Sequence, residues 1–169
     1  AYAYDRNPNP IATYLIHLRL PAMPVEAAQP ACLPMGMIGV TLSGVALFNG
    51  LDAMGRDAGA HEVQDRCGGH PERRGHYHYH GWSRCIPDAT GEGEHSALVG
   101  YALDGFGIFG PKGEHGERMT NAALDACHGH SHTIAWDGKE LEMYHYHFTE
   151  EYPYILGCFK GTPVRSGAR

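Results

Sequence analysis

The same histidine-rich stretch occurs twice in the sequence, and this repeat restricts the fold more than any other feature. Tyr77-His78-Tyr79-His80 returns as Tyr144-His145-Tyr146-His147. Successive side chains of a β-strand point to opposite faces of the sheet, so each copy places two imidazoles on one face and the tyrosines on the other. Two imidazoles, joined by a third from a nearby loop, form a three-nitrogen arrangement typical of transition-metal sites.

Each copy of this stretch follows a matching loop. Residues 65–70 and 125–130 both contain an aspartate, a cysteine, a glycine and a histidine at equivalent positions. Further upstream, residues 99–109 repeat the glycine and apolar pattern of residues 38–48. The ordered series indicates an internal duplication, with one repeat over about residues 38–85 and the other over about residues 99–158.

Turn signals predict the fold class. Ser43-Gly44, Asp104-Gly105 and Asp137-Gly138 each separate two apolar stretches, as in β-hairpins. The chain also contains 23 glycines and 11 prolines, which favours a fold rich in loops. We therefore expect a single, mainly β domain over residues 38–160, a β-sandwich or barrel-like fold with long loops and few short helices. Residues 1–37 are expected to form an extended arm, and residues 161–169 a flexible tail.

Six histidines are the primary candidate metal ligands: His70, His78, His80, His130, His145 and His147. Each repeat contributes three of them, so each has a complete ligand set of its own. Two separate sites are therefore the preferred interpretation. A shared or paired site between the repeats stays open as the alternative.

Four more histidines are candidate additional ligands: His76, His95, His128 and His132. His76 falls on the strand face that carries the first histidine pair. His128 and His132, two positions either side of His130, either add a weak metal site or are solvated, and both interpretations stay open. Surface or packing roles are expected for His17, His61 and His115, which have no partner at ligand spacing.

Asp65 and Asp125 occupy equivalent positions in the two repeats. As carboxylates beside a metal site, they could hold a ligating imidazole in the correct orientation. Alternatively, they cap the cysteine loop or a short helix. The sequence does not distinguish these roles.

The cysteines repeat as well. The order of the four cysteines within the repeats predicts the disulfides Cys67–Cys85 and Cys127–Cys158, each closing a Gly-His loop onto its strand. Ligation of the metal by the same thiolates is the alternative, and it would favour zinc or Cu(I). Cys32 has no counterpart and is expected to be free or buried. Disulfides indicate an oxidising compartment.

Charge and composition argue against several classes of protein. The net charge of −6 and the lack of a basic run argue against nucleic-acid binding. Residues 27–51 carry no charge, but prolines, glycines and polar side chains interrupt them, which argues against a membrane-spanning helix. The first ten residues do not resemble a signal peptide, so a mature or trimmed form is expected.

Four stretches together resemble the YHYH-domain family: residues 65–71, 77–80, 95–110 and 144–159. The resemblance extends over roughly residues 33–161. Members of this family occur largely as exported bacterial proteins, and the family supplies no activity. The resemblance therefore implies a secreted or periplasmic domain in which these histidines are important.

Copper and zinc are the expected metals. Copper is slightly preferred, because the chain is expected outside the cytoplasm and is rich in histidine and methionine. Zinc is favoured by the His₃ arrangement, which can activate water. Three functions stay open: sequestration or delivery of the metal, metal-dependent redox or hydrolytic catalysis on a small-molecule or extracellular substrate, and a structural or interaction domain that metal stabilises.

Overall fold

A computed structural model describes residues 9–87 and 90–165 of the chain. Its elements are the strands β1 (Glu26–Ala31), β2 (Met37–Thr41), β3 (Ala46–Phe48), β4 (Gly69–Pro71), β5 (Tyr77–Tyr79), β6 (Leu98–Ala102), β7 (Gly107–Phe109), β8 (Gly129–Trp136), β9 (Lys139–His147) and β10 (Phe159–Gly161), one helix α1 (Ala58–His61) and a 3₁₀ turn (Asn121–Ala123). The prediction of a mainly β fold with long loops and few short helices is confirmed.

The strands form two sheets. Eight of them make a mixed sheet in the order β4-β5-β3-β2-β6-β7-β9-β8, and β1 pairs with β10 in a separate two-stranded sheet. Of the two predicted forms, the described residues show two sheets in a sandwich-like domain and no closed barrel.

The strand order of the large sheet is symmetric about its centre. β2 and β6 pair antiparallel there, with Val40 opposite Tyr101. In each half the next strand is the hairpin partner, β3 or β7. The strand beyond the hairpin partner, β5 or β9, carries Tyr-His-Tyr and pairs with it in parallel. The outermost strand of each half, β4 or β8, carries Gly-His. The two histidine stretches therefore occupy corresponding positions on either side of the β2–β6 pair.

The predicted turns lie where the sequence places them. Gly44 and Gly105 have φ values of 86° and 91°, a region that glycine enters at little cost. Asp137 and Gly138 both have positive φ, 49° and 73°, as a tight turn between β8 and β9 requires. These turns fix which residues pair across each hairpin.

The tyrosines of the repeated stretches pack into the hydrophobic core. Tyr79, Tyr144 and Tyr146 are at most 5% exposed and belong to one continuous core cluster. The Tyr146 hydroxyl donates a 2.6 Å hydrogen bond to the buried carboxylate of Asp104. Alternation along the strand then directs the histidines to the opposite face. The core therefore packs against the strand face opposite the histidines.

The first described residues of the chain lie against the domain. β1 falls within the stretch expected to be an extended arm, and the Trp136 indole donates a hydrogen bond to the Ala22 carbonyl. Residues 1–8 of the expected arm and 166–169 of the expected tail lie outside the described residues. The domain boundaries stay a prediction. Of the described helices, none has the length and apolar character needed to cross a bilayer.

Candidate metal centres

The first histidine cluster forms where β4 meets β5. His70 lies directly opposite His78 in the antiparallel ladder between these strands. His80 follows β5 two residues after His78, so it projects from the same face. All three are less than 8% exposed. Strand register and alternation together bring the three rings to one point.

The three Nε2 atoms of this cluster converge. The distances are 3.1 Å between His70 and His78, 3.3 Å between His70 and His80, and 3.0 Å between His78 and His80. A tetrahedral ion with metal–nitrogen bonds of about 2.0 Å separates its ligand nitrogens by about 3.3 Å. The spacing of the three nitrogens is close to that of a transition-metal site.

Backbone carbonyls orient each ring. The Nδ1 atom of His70 lies 3.0 Å from the Val63 oxygen, that of His78 lies 3.0 Å from the His76 oxygen, and that of His80 lies 2.6 Å from the Asn49 oxygen. A carbonyl oxygen only accepts hydrogen bonds, so each Nδ1 carries the proton and donates it. A neutral imidazole then has a bare lone pair on Nε2. Three lone pairs therefore point at a common centre.

Protonation of His78 and His80 is disfavoured near neutral pH. Burial lowers the pKa of His78 to about 3 and lowers the pKa of His80 as well. Neutral rings with protonated Nδ1 cannot hydrogen-bond to one another through Nε2. A bound cation would satisfy all three lone pairs at once.

Glu62 completes the first cluster, and sequence reasoning missed it. It follows α1, and its Oε2 atom lies 3.1 Å from His70 Nε2 and 3.0 Å from His80 Nε2. That oxygen is buried and receives no hydrogen bond from the described residues. Nothing in the sequence pattern singled out this carboxylate. The complete first cluster, Glu62 with three histidines, offers four donor atoms to one ion.

The first cluster opens onto a cavity of about 750 Å³. Its wall includes all four cluster residues together with Met35, Phe48, Leu51, Pro71 and Arg73. A small molecule of modest size could enter such a space. The cluster is therefore buried by side chains yet accessible from one side.

The second histidine cluster has five members: His95, His130, His132, His145 and His147. His130 and His132 lie on β8, while His145 and His147 lie on β9. His147 Nε2 lies 3.1 Å from His130 Nε2 and 3.2 Å from His95 Nε2. The donor nitrogens of all five lie within 4.8 Å of one another. The four histidines on β8 and β9 therefore come together at one place, and His95 joins them from the loop before β6.

The second cluster is oriented in the same way as the first. The Nδ1 atoms of His145 and His147 lie 3.0 Å and 2.7 Å from the carbonyl oxygens of Met143 and Gly110. Burial lowers the pKa of His145 to about 3 and that of His130 to about 4, and it lowers the pKa of His147 well below its usual value. His145 Nε2 and His132 Nε2 are buried without a hydrogen-bond partner among the described residues. These nitrogens also present bare lone pairs.

The YHYH protein family model matches residues 17–122 of the chain, more than half of its length. The chain belongs to the YHYH family. No curated protein and no solved structure matches it. The matched residues include the whole first cluster and His95, and they end before β8 and β9. The resemblance expected over residues 33–161 is thereby confirmed for its first part.

The two aspartates of the YHYH repeats cap the cysteine loops. Asp65 Oδ1 accepts hydrogen bonds from the backbone of Cys67 and Gly69, and its Oδ2 accepts one from the Tyr77 hydroxyl. In Asp125 the Oδ1 atom accepts all three corresponding bonds, from the backbone of Cys127 and Gly129 and from the Tyr144 hydroxyl. These bonds correspond to the loop-capping alternative. The imidazole-orienting role considered for both residues belongs instead to backbone carbonyls.

Both expected disulfides are present. Cys67 is bonded to Cys85 and Cys127 to Cys158, so these four sulfurs are not thiolate ligands. Each bond ties the loop before a Gly-His strand to the chain that follows the histidine stretch. Cys32 is free, as expected, and exposed.

Two of the additional candidate ligands lie outside the clusters. His76 is buried and stacks on Tyr14 with ring centroids 3.8 Å apart, and it belongs to neither cluster. His128 donates from Nδ1 to the Ile155 carbonyl, and its Nε2 contacts Asn121 and Thr149. His95 and His132, the other two candidates, do belong to the second cluster. His17, His61 and His115 are exposed, as expected.

Proposed function

We propose that this YHYH protein binds two transition-metal ions, copper or zinc, one in each histidine cluster, and serves to sequester or deliver them. One observation carries the proposal: the Nδ1 atoms of three imidazoles in the first cluster and two in the second face backbone carbonyls, while their Nε2 lone pairs point towards the cluster centres. Lone pairs forced together in a buried space repel one another unless a cation lies between them. Imidazole nitrogen suits both copper and zinc.

The symmetry of the sheet supports two sites derived from an internal duplication. His70 opposite His78 in the first half corresponds to His130 opposite His145 in the second. The parallel pairs Leu47–Tyr79 and Ile108–Tyr146 correspond in the same way. Each half therefore builds a cluster from its own strands. The two disulfides support a secreted or periplasmic location, where such bonds persist.

Elemental analysis tests the proposal. Protein purified without added metal and then loaded with a small excess of Cu²⁺ or Zn²⁺ is expected to retain about two ions per chain after desalting, because each cluster offers at least four donors. Plasma mass spectrometry gives the metal content, and native mass spectrometry gives its distribution among molecules. Retention of less than half an ion per chain with either metal would overturn the proposal.

The cavity favours a second candidate function, metal-dependent catalysis at the first cluster. A catalytic ion needs a coordination position that substrate or water can reach, and this cluster opens onto about 750 Å³ of space. A water bound there would be acidified by the ion. In this candidate Glu62 serves as a fourth ligand or as a base beside the ion.

Cobalt spectroscopy tests whether the first site is open. In protein loaded with Co²⁺, millimolar azide or acetate is expected to change the visible absorption, since an added ligand alters the coordination geometry. The change should vanish in His78→Ala protein, whose remaining cobalt occupies the second cluster. A spectrum that does not respond to either anion would count against catalysis and leave sequestration as the function.

A further inference from the structure

The two clusters carry different ligand charge. The first contains the carboxylate of Glu62 with three imidazoles, whereas the second, among the described residues, contains five imidazoles and no carboxylate. Glu114 and Glu117 raise the pKa of His95 and His130 from exposed positions and are not part of the second cluster. Water screens charges at such positions. Among the residues that the structure describes, Glu62 is therefore the only anionic group in contact with a cluster nitrogen.

We propose that the clusters are selective for different ions, the first for divalent zinc and the second for monovalent copper. This inference rests on the proposed function and deepens it. A divalent ion beside Glu62 leaves one net positive charge in the site, while the same ion in the second cluster leaves two. Burying uncompensated charge is costly, and the cost rises steeply with the charge. Cu⁺ among neutral imidazoles leaves one charge, the same as Zn²⁺ with the carboxylate.

The chemical types of the donor atoms also favour zinc in the first cluster and copper in the second. Carboxylate oxygen is a hard donor that suits Zn²⁺ in combination with imidazole. Glu62 Oε2 lies 3.0 Å and 3.1 Å from two of the three nitrogens, so oxygen and nitrogen can reach one tetrahedral ion together. An all-imidazole set lacks the hard oxygen donor. Imidazole binds copper as well as zinc, so in the second cluster the buried charge decides which ion is preferred.

Titration of the metal-free protein tests the inference. One equivalent of Zn²⁺ is expected to shift the imidazole nitrogen resonances of the first cluster in a long-range ¹H–¹⁵N spectrum, and to leave those of the second unchanged. One equivalent of Cu⁺, kept reduced with ascorbate under argon, should give the opposite pattern. Glu62→Gln should lower the zinc affinity of the first cluster by at least the roughly 10- to 100-fold that the loss of an outer-shell partner costs in metal sites.

Two controls accompany this variant. Glu114→Gln removes an exposed carboxylate near the second cluster and should leave both affinities unchanged. Unchanged Cu⁺ binding by Glu62→Gln protein shows that the variant is folded. If both ions enter both clusters in equal amounts, and Glu62→Gln has no effect on zinc, the selectivity is wrong while metal binding stands. If neither ion binds, the proposed function itself fails.

Discussion

Protein with His78→Ala is expected to bind one metal ion per chain where the unaltered chain binds two. The His78 Nε2 atom lies 3.1 Å and 3.0 Å from its two partner nitrogens, so it is one of only three imidazole donors of the first cluster. Loss of one donor leaves two nitrogens and the Glu62 oxygen, and affinity should fall by about 100-fold or more, above the range for outer contacts. Competition with a chromophoric chelator measures the change.

The matching variant in the second half is His147→Ala. The Nε2 atom of His147 contacts the Nε2 atoms of both His95 and His130. Removal of His147 should therefore abolish the contact that links these two rings. Each variant should affect only its own cluster, because the two ligand groups share no residue. The intact cluster in each variant then serves as an internal control for folding.

His61→Ala is the surface control for the first cluster. His61 is exposed and stands next to Glu62 in the chain, yet it contacts no cluster nitrogen. Its replacement should leave two ions bound at unchanged affinity. Two ions bound with unchanged affinity in both His78→Ala and His147→Ala protein would contradict the placement of the sites at these clusters.

Local patterns predicted much of the candidate sites. Strand alternation placed His78 with His80 and His145 with His147, and the repeated loops brought His70 and His130 to them. The order of the cysteines gave both disulfides. These features depend on neighbours in sequence or on repetition, and both are visible in the chain itself.

The remaining features depend on tertiary contacts. Glu62 reaches the first cluster because the segment that follows α1 lies beside β4, where the Val63 carbonyl contacts His70 Nδ1, and no periodic pattern in the sequence predicts that approach. The carbonyls that orient His80 and His147 belong to Asn49 and Gly110, 31 and 37 positions away in sequence. The parallel pairing of β3 with β5 and of β7 with β9 likewise joins segments across long loops. Short-range turn chemistry decided the role of Asp65 and Asp125, which the sequence left open.

Removal of the metal is expected to lower the melting temperature by about 10 °C or more without unfolding the protein at room temperature. An ion present at a thousand times its dissociation constant stabilises the native state by about 4 kcal/mol. For a chain of this size, 1 kcal/mol corresponds to about 2–4 °C, so each site accounts for about 8–16 °C. Calorimetry of metal-loaded and chelator-treated protein gives the difference.

The apoprotein is expected to stay folded because its core does not depend on the clusters. The tyrosine face of the large sheet packs in a continuous apolar cluster, with Tyr146, Phe106 and Ile108 at most 2% exposed. The two disulfides restrict the unfolded chain in addition. Near-ultraviolet circular dichroism of the apoprotein should therefore keep its aromatic signal. Loss of that signal on chelation would instead identify a domain that folds only with metal.

The double variant His78→Ala, His147→Ala separates metal effects from effects of the chelator. It lacks a central donor in each cluster, so chelator should lower its melting temperature by less than it lowers that of the unaltered chain. Each alanine also removes lone-pair repulsion from a buried space, which partly offsets the lost packing. The variant should consequently melt near the temperature of the unaltered apoprotein. A chelator-induced fall in the double variant as large as in the unaltered chain would show that the stabilising ion binds elsewhere.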